Sequence, residues 1–240
     1  MSVVRHSGKL GDIVYSLPAV RALGKSRYFI RLGDPLTEVE AQQVLPLLTA
    51  QPYIESAAIW TDELIDYDLD RFRTQKPIFT NLADCHLFAL GLASFPRDRQ
   101  WIVVPQVIKP PKPIAIARSL SFHGCAGFWQ IAYPQVKDQA YFVGTPSERQ
   151  EFERLFGPIE YWPTADLLQL AQVLAGSKLF IGNQSCPYAI AEGLKMPCIQ
   201  EVYPVTPNCI FERPDAAYIT HPGQILPAID RLLGIKQEKQ

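Results

Sequence analysis

The sequence has no excess of charge of either sign and no long apolar run. Lysine and arginine number 23 against 24 for aspartate and glutamate, so the formal net charge is -1 over 240 residues. Proteins that bind nucleic acids carry a basic surface, and this balance argues against such a partner. No apolar stretch approaches the roughly 20 residues that cross a bilayer, and residues 1–12 lack the apolar core of a signal peptide. We therefore expect a cytoplasmic protein without a transmembrane segment.

Paired cysteines are also missing. The five cysteines are an odd number and form no C-x-x-C pair; they are Cys85, Cys125, Cys186, Cys198 and Cys209. This pattern predicts free thiols in a reducing compartment rather than a disulfide framework, and it offers no zinc site. We expect neither a metal nor another cofactor.

Two phosphate-binding motifs are incomplete in the stretch HSGKLGDIV at residues 6–14. A Walker A loop is excluded because Leu10 follows Gly8-Lys9 and no glycine stands five residues before Gly8. The dinucleotide fingerprint G-x-G-x-x-G is excluded because Gly8 and Gly11 are three residues apart with no third glycine in place. What remains is a turn between a strand and a helix. Asp12 lies at the start of that helix, as an N-cap or as a functional carboxylate.

What the sequence does contain is an alternation of strand and helix patterns that restarts after a proline-rich stretch. Four of the nine residues 105–113 are proline, which is typical of a stiff linker. Before it we predict strands at 2–6, 27–32, 57–60, 77–80 and 101–104, and helices at 12–24 and 37–50. After it we predict strands at 113–117, 140–144, 159–162, 178–182 and 197–202, and helices at 147–157, 164–177, 187–195 and 224–234, the first of these capped by Ser147.

This alternation predicts an α/β fold of two Rossmann-like domains with parallel sheets facing a cleft. Residues 1–108 would form one domain and residues 109–240 the other. In such sheets ligands bind beyond the carboxyl ends of the strands. Arg118 and Ser119 follow the first strand of the second half, and Glu201 ends a later one. The acidic run at 62–70 is interpreted as a solvated helix face.

Two stretches resemble motifs of the heptosyltransferase family (glycosyltransferase family 9). GDIVYSLPAVRAL, residues 11–23, resembles its N-terminal pattern G-D-h-x-x-x-L-P-A-h-x-x-L, where h is hydrophobic. GNQSCPYAIA, residues 182–191, resembles its C-terminal pattern G-N-D-[ST]-G-x-x-H-h-A. The resemblance implies the GT-B fold, with the active site between two Rossmann-like domains. It also implies metal-independent transfer of a sugar from a nucleotide diphosphate to a glycan or other hydroxyl acceptor.

The resemblance also implies roles for individual residues. Asp12 stands where the family has its proposed general base, in an acceptor-side or phosphate-side turn with Gly8, Lys9 and Gly11. The second half would bind the donor, an ADP-heptose-like nucleotide sugar, through the motif residues Gly182, Asn183, Gln184 and Ser185. Arg118, Ser119 and Glu201 are added as candidate donor-binding residues because of their positions at strand ends. The chain is short for this family, mainly in the first half, so the acceptor site is expected to be small, open or completed by a protein partner.

The second motif departs from the family pattern at three positions. Gln184 replaces an acidic residue, Cys186 replaces a glycine, and Ala189 stands where the family often has histidine. Three functions therefore stay open: an inverting glycosyltransferase, a catalytically degenerate protein that binds a nucleotide or sugar, and a GT-B-like sugar-nucleotide epimerase. The position of Asp12 relative to Asn183 and Ser185 distinguishes the first two.

Overall fold

The computed structural model describes residues 1–74, 81–92 and 99–234. The first half builds one parallel sheet from four strands: β1 (Ser2–His6), β2 (Ser26–Ile30), β3 (Ile54–Ile59) and β4 (Tyr67–Asp68). Their order is β3-β2-β1-β4, and all neighbours run parallel. Its helices are α1 (Leu10–Leu23), α2 (Glu38–Thr49) and α3 (Leu82–Ala89).

The second half builds a separate parallel sheet of six strands in the order β10-β9-β8-β5-β6-β7. These strands are β5 (Ile114–Ala117), β6 (Ala140–Phe142), β7 (Glu160–Tyr161), β8 (Leu179–Asn183), β9 (Cys198–Glu201) and β10 (Ala216–Ile219). Its helices are α4 (Phe128–Val136), α5 (Pro146–Phe156), α6 (Leu167–Ala175), α7 (Cys186–Gly193) and α8 (Ile225–Leu233). The predicted α/β class with two parallel sheets is confirmed.

Side-chain caps define where several helices begin. The Thr37 side chain accepts a hydrogen bond from the Glu40 N–H at the start of α2, and the Glu40 carboxylate accepts from the Thr37 N–H. Thr145 and Glu148 repeat this capping box at the start of α5. The prediction that Ser147 caps α5 is therefore wrong. The cap lies two residues earlier, and Pro146 takes the first helical position, where its missing N–H costs no hydrogen bond.

Three elements, α3, α4 and β10, were not predicted, and two predicted segments have a different structure. Residues 101–104 are not a strand, because the Trp101 and Ile102 N–H groups donate to the Gly193 carbonyl and hold the segment against the end of α7. The acidic run at 62–70 is not an α-helix, because it includes β4 and its last two residues begin a 3-10 helix at Leu69–Arg73. Its Asp66 carboxylate accepts from the Val3 N–H, which ties the run to β1. The strand predicted at 77–80 lies outside the described residues.

The two sheets are joined by helices that pack on each other. Helix α1 packs against α7, and α2 packs against α6. Buried apolar side chains from all four helices form one cluster, the shared core, which includes Val14, Leu48, Leu170 and Ile190. A second cluster, the outer core, lies under α4, α5 and α8 on the far face of the second sheet. The domain boundary at residues 108–109 stays a prediction. In residues 1–74, 81–92 and 99–234, none of the helices combines the length and apolar content needed to cross a membrane.

We expect both halves to unfold in a single transition, because the shared core belongs to both. Leu48→Ala empties a fully buried position on α2 and should lower the free energy of unfolding by about 2–5 kcal/mol. Ile229→Ala on α8 is the matched change in the outer core. In urea, Trp fluorescence and far-UV circular dichroism should report one coincident transition for both variants. Two separate transitions, of which Leu48→Ala moves only one, would contradict this expectation.

Candidate active site

The turn between β1 and α1 is built around Gly8. A Cβ at this position would lie 2.4 Å from His6 Cε1 and 2.8 Å from Arg73 Nη2, so a larger residue does not fit. Helix α1 begins at Leu10 with Lys9 as its N-cap, and the Lys9 side chain makes no capping hydrogen bond. Asp12 is therefore the third residue of the helix, and its interpretation as the N-cap is wrong. Its carboxylate interacts with the backbone N–H of Lys9, which lowers the pKa of Asp12 in part.

Asp12 forms an ion pair that the sequence did not reveal. Its Oδ2 accepts a hydrogen bond from Arg73 Nη2 at 3.1 Å, and Arg73 Nη1 donates to Asp70 Oδ1 at 3.0 Å. The Asp12 side chain is 21% exposed. Burial raises the pKa of Asp12, and the positive charge of Arg73 lowers it in part. A carboxylate with a raised pKa, near the surface and beside a cation, suits a role in proton transfer.

The structure brings the turn of Asp12 to the second motif. A Cβ on Gly11 would lie 3.9 Å from the Cys186 Cα, so the N-terminus of α1 touches the N-terminus of α7. Ser185 is the N-cap of α7, but its hydroxyl donates to the Asn183 carbonyl and does not cap the helix. The N-terminal ends of two helices therefore meet at one place. Each such end carries a partial positive charge that attracts anions.

Asn183 and Gly182 fix the loop that follows β5. Asn183 is fully buried; its Oδ1 accepts from the Ser119 N–H at 3.0 Å, and its Nδ2 donates to Ser119 Oγ at 2.9 Å and to the Ser121 carbonyl. A Cβ on Gly182 would lie 2.8 Å from the Ala117 carbonyl. These residues hold the end of β8 against residues 117–121. Asn183 thus lies next to the N-terminus of α7, as Ser185 does, but its side-chain amide is already hydrogen-bonded within the protein.

Gln184 holds the loop after β9 in place through hydrogen bonds of its side-chain amide. Its Oε1 accepts from the Tyr203 N–H at 2.6 Å, and its Nε2 donates to the Thr206 carbonyl at 2.8 Å and to Asn208 Oδ1 at 3.2 Å. An amide both donates and accepts, which an ionised carboxylate cannot do. The departure from the acidic residue of the family pattern therefore has a local purpose, since Gln184 anchors residues 203–208.

Glu201 and Arg118 contact residues of α4, α5 and the loop that follows β5. The buried Glu201 carboxylate accepts from the Gly124 N–H at 3.1 Å and from Trp129 Nε1 at 2.9 Å. The Arg118 guanidinium lies 5.4 Å from the centre of the Phe156 ring, and its buried Nε has no hydrogen-bond partner among the described residues. A cavity of about 600 Å³ is lined there by Arg118, Leu120, His123, Ser147, Gln150, Glu151 and Arg154.

A buried histidine pair, His6 and His86, supports the turn between β1 and α1. Sequence reasoning did not predict this pair. His6 Nε2 and His86 Nε2 are 3.0 Å apart, and both side chains are buried. His86 Nδ1 donates to the Leu82 carbonyl, so its Nε2 accepts the proton that His6 Nε2 donates. His6 Nδ1 then accepts from the Gly8 N–H at 2.7 Å. Burial, aided by the charge of Arg73, lowers the pKa of His6 to about 3, and burial also lowers that of His86. Both rings are therefore neutral, and the 3.3 Å approach of His6 to Asp70 is not an ion pair at neutral pH.

No protein-family model and no curated protein sequence matches this chain. Solved structures do match. A glycosyl transferase family 9 protein from Veillonella parvula superposes with a TM-score of 0.67 at 11% identity, over 98% of each chain. Escherichia coli heptosyltransferase WaaC with ADP-2-deoxy-2-fluoro heptose gives 0.61 at 13% identity, over 98% of this chain and 99% of that one. A putative UDP-N-acetylglucosamine 2-epimerase from Listeria monocytogenes gives 0.52 at 14% identity, over 99% of this chain and 89% of that one. The predicted GT-B glycosyltransferase fold is confirmed.

The histidine pair makes stability fall in mild acid. The unfolded state takes up protons as the pH drops below the ordinary histidine value of 6.5, whereas folded His6 stays neutral down to about 3. The free energy of unfolding should therefore decrease from pH 6.5 downward, by about 1.4 kcal/mol per pH unit for each histidine. Urea denaturation at pH 7.5, 6.0 and 5.0 measures this slope. His86→Gln should make it shallower, and His221→Asn, at an exposed position, should leave it unchanged. Equal slopes for the native protein and His86→Gln would contradict the argument.

Proposed function

We propose that this protein is a glycosyltransferase that moves a sugar from a nucleotide diphosphate donor to a hydroxyl acceptor. The observation that carries the proposal is the contact of Gly11 with Cys186, which places Asp12 beside the N-terminus of α7. The similarity to WaaC, whose structure contains ADP-2-deoxy-2-fluoro heptose, supports a nucleotide sugar as the donor. We propose an ADP-heptose-like donor and transfer with inversion, without a metal ion.

The diphosphate of the donor is proposed to lie where α1 and α7 meet. Ser185 leaves the first turn of α7 without a side-chain cap, so its N–H groups face the site. Negative charge is stabilised there by the ends of both helices, and Lys9 is exposed on the same turn as Gly11. Ser119, Gly182, Asn183, Gln184 and Glu201 are proposed to form the donor site indirectly, because they fix the loops around it. Arg118 is proposed to pair with an anionic part of the donor through a turn of its side chain, since its Nε lacks a partner in the described structure.

Asp12 is proposed to act as the general base. The acceptor hydroxyl gives its proton to the Asp12 carboxylate, and its oxygen forms the new bond to the anomeric carbon. The bond from that carbon to the diphosphate oxygen breaks on the opposite face, and its electron pair leaves with the nucleotide diphosphate. The raised pKa of Asp12 makes the carboxylate a better proton acceptor than an exposed aspartate. The glycan acceptor, the partner chain at the acceptor site and the cytoplasmic location stay predictions.

A sugar-nucleotide epimerase is the second candidate, supported by the likeness to the putative UDP-N-acetylglucosamine 2-epimerase. An epimerase needs no acceptor and converts one nucleotide sugar into another, whereas a transferase releases nucleotide diphosphate only when sugar leaves it. Proton NMR of ADP-heptose and UDP-N-acetylglucosamine, each incubated with the protein with and without glycan acceptors, separates the two. A new nucleotide sugar formed without an acceptor would favour the epimerase and contradict the transferase.

The donor site is tested at Ser185. Ser185→Asp places a negative charge at the N-terminus of α7, where it should repel a diphosphate and weaken binding about tenfold or more. Ser185→Asn is the matched neutral control, since asparagine and aspartate cap helices about equally well. Isothermal titration with ADP and UDP should show this loss for Ser185→Asp alone. If neither nucleotide binds the native protein, or both variants bind alike, the donor site lies elsewhere.

The proposed base is tested by Asp12→Asn, which keeps the size of the side chain and removes its ability to take a proton. Turnover, measured as ADP release from ADP-heptose with a panel of glycan acceptors, should fall by about 10²–10⁴-fold. Affinity for ADP and thermal stability should change little, because asparagine keeps the size of the side chain and the Arg73–Asp12 ion pair that it weakens is partly exposed. Full turnover in Asp12→Asn would remove Asp12 from the mechanism. Tight ADP binding without turnover in the native protein would favour the degenerate binding protein.

A further inference from the structure

Arg73 bridges two carboxylates beside the proposed base. One guanidinium nitrogen, Nη2, donates to Asp12 at 3.1 Å, and the other, Nη1, donates to Asp70 at 3.0 Å. The same guanidinium packs directly over the glycine turn, since a Cβ on Gly8 would lie 2.8 Å from Arg73 Nη2. Arg73 and Asp70 belong to a 3-10 helix at Leu69–Arg73, which follows β4. A link thus runs from this helix to the start of α1, across 61 residues of sequence.

Asp70 is itself held in place, so the bridge has a fixed end. Its Oδ1 accepts from the Ser7 N–H at 3.1 Å, and its Oδ2 accepts from Ser7 Oγ at 2.6 Å. The Arg73 guanidinium also lies 4.8 Å from the centre of the Phe72 ring, which stacks on His86 at 4.1 Å. A planar guanidinium bound at both nitrogens and resting on an aromatic ring has few alternative positions. It therefore holds Asp12 in one orientation.

We propose that Arg73 is a positioning residue for the transfer reaction, which orients the Asp12 carboxylate by one oxygen and keeps it ionised. This inference rests on the proposed role of Asp12 as base. Because Arg73 binds Oδ2, Asp12 Oδ1 is the oxygen that meets the acceptor hydroxyl. A cation at hydrogen-bond distance stabilises the charged form of the carboxylate against the cost of its burial. Asp12 then enters the reaction without a proton.

Among the groups around Asp12, Arg73 is the main one that stabilises the ionised carboxylate. They come from its own turn, β1, β2, the 3-10 helix, α7 and the loop after β9: Lys9, His6, Tyr28, Asp70, Arg73, Cys186 and Cys209. The histidine is neutral, and burial raises the pKa of Tyr28, Cys186 and Cys209, so these are neutral as well. Lys9 is exposed and screened by water. Without Arg73, only the Lys9 backbone N–H and the exposed Lys9 ammonium, among the groups that lower the pKa of Asp12, would be left to oppose the effect of its burial.

The direct test is the pKa of Asp12, measured by ¹³C NMR of the aspartate carboxyl carbons, with the Asp12 signal assigned from its loss in Asp12→Asn. Arg73→Met keeps the aliphatic part of the side chain and removes the charge. The pKa of Asp12 should rise by about 1–3 units. Arg73→Lys should restore most of this shift. Arg71→Met is the matched control: Arg71 lies on the same 3-10 helix, but it is Arg73 that bonds Asp12 in the described structure, so the pKa should stay unchanged. An unmoved Asp12 pKa in Arg73→Met overturns the proposal.

A second measurement separates positioning from folding. In Arg73→Met, the acid limb of the kcat/KM profile should move to higher pH by the same number of units as the NMR value, while the affinity for ADP stays constant. In Arg73→Lys the limb should return toward its native position, but kcat should stay reduced, because a lysine cannot bridge Asp12 and Asp70 in a planar fork. A native kcat in Arg73→Lys and an unmoved acid limb in Arg73→Met would overturn positioning. Full turnover in Asp12→Asn would instead overturn the proposed function and leave the NMR result standing.

Discussion

The contact between the first turns of α1 and α7 is the constraint on which the candidate site depends. The two helices belong to different halves of the chain. They approach closely because Gly11 has no side chain at the point where it meets Cys186. The shared core behind this point locks the approach, since α1 and α7 both bury apolar side chains in it. The site is therefore a product of the packing between the two halves, and neither half contains it alone.

The polar side chains of the second motif mainly form hydrogen bonds within the protein that hold neighbouring loops in place. The side-chain amide of Asn183 is hydrogen-bonded to residues 119–121, and that of Gln184 is hydrogen-bonded to residues 203–208. Buried polar groups cost free energy unless they are paired, so these bonds stabilise two loops around the end of β8. This explains how the chain keeps the shape of the fold while departing from the acidic residue of the family pattern. Because these amides are already bonded within the protein, the proposed catalytic group is Asp12 in the first half.

Sequence reasoning predicted the features that depend on local pattern. Strand and helix periodicity gave the two parallel sheets, and the motif at 11–23 located Asp12 at the start of α1. It missed Arg73 and His86, because their partners are 61 and 80 residues away along the chain. It also misread 101–104, where apolar side chains bury against α7 rather than in a sheet. Local composition does not distinguish these two ways of burying an apolar segment.

The charge balance of the site favours an anionic substrate. Arg73 and Lys9 offset Asp12 and Asp70, so the side chains around the turn sum to zero at neutral pH. The two helix ends then add about half a positive charge each. These partial charges lie where α1 and α7 meet. A leaving diphosphate gains from their potential as its charge grows, whereas a neutral sugar does not. This partial charge agrees with the proposed nucleotide diphosphate donor.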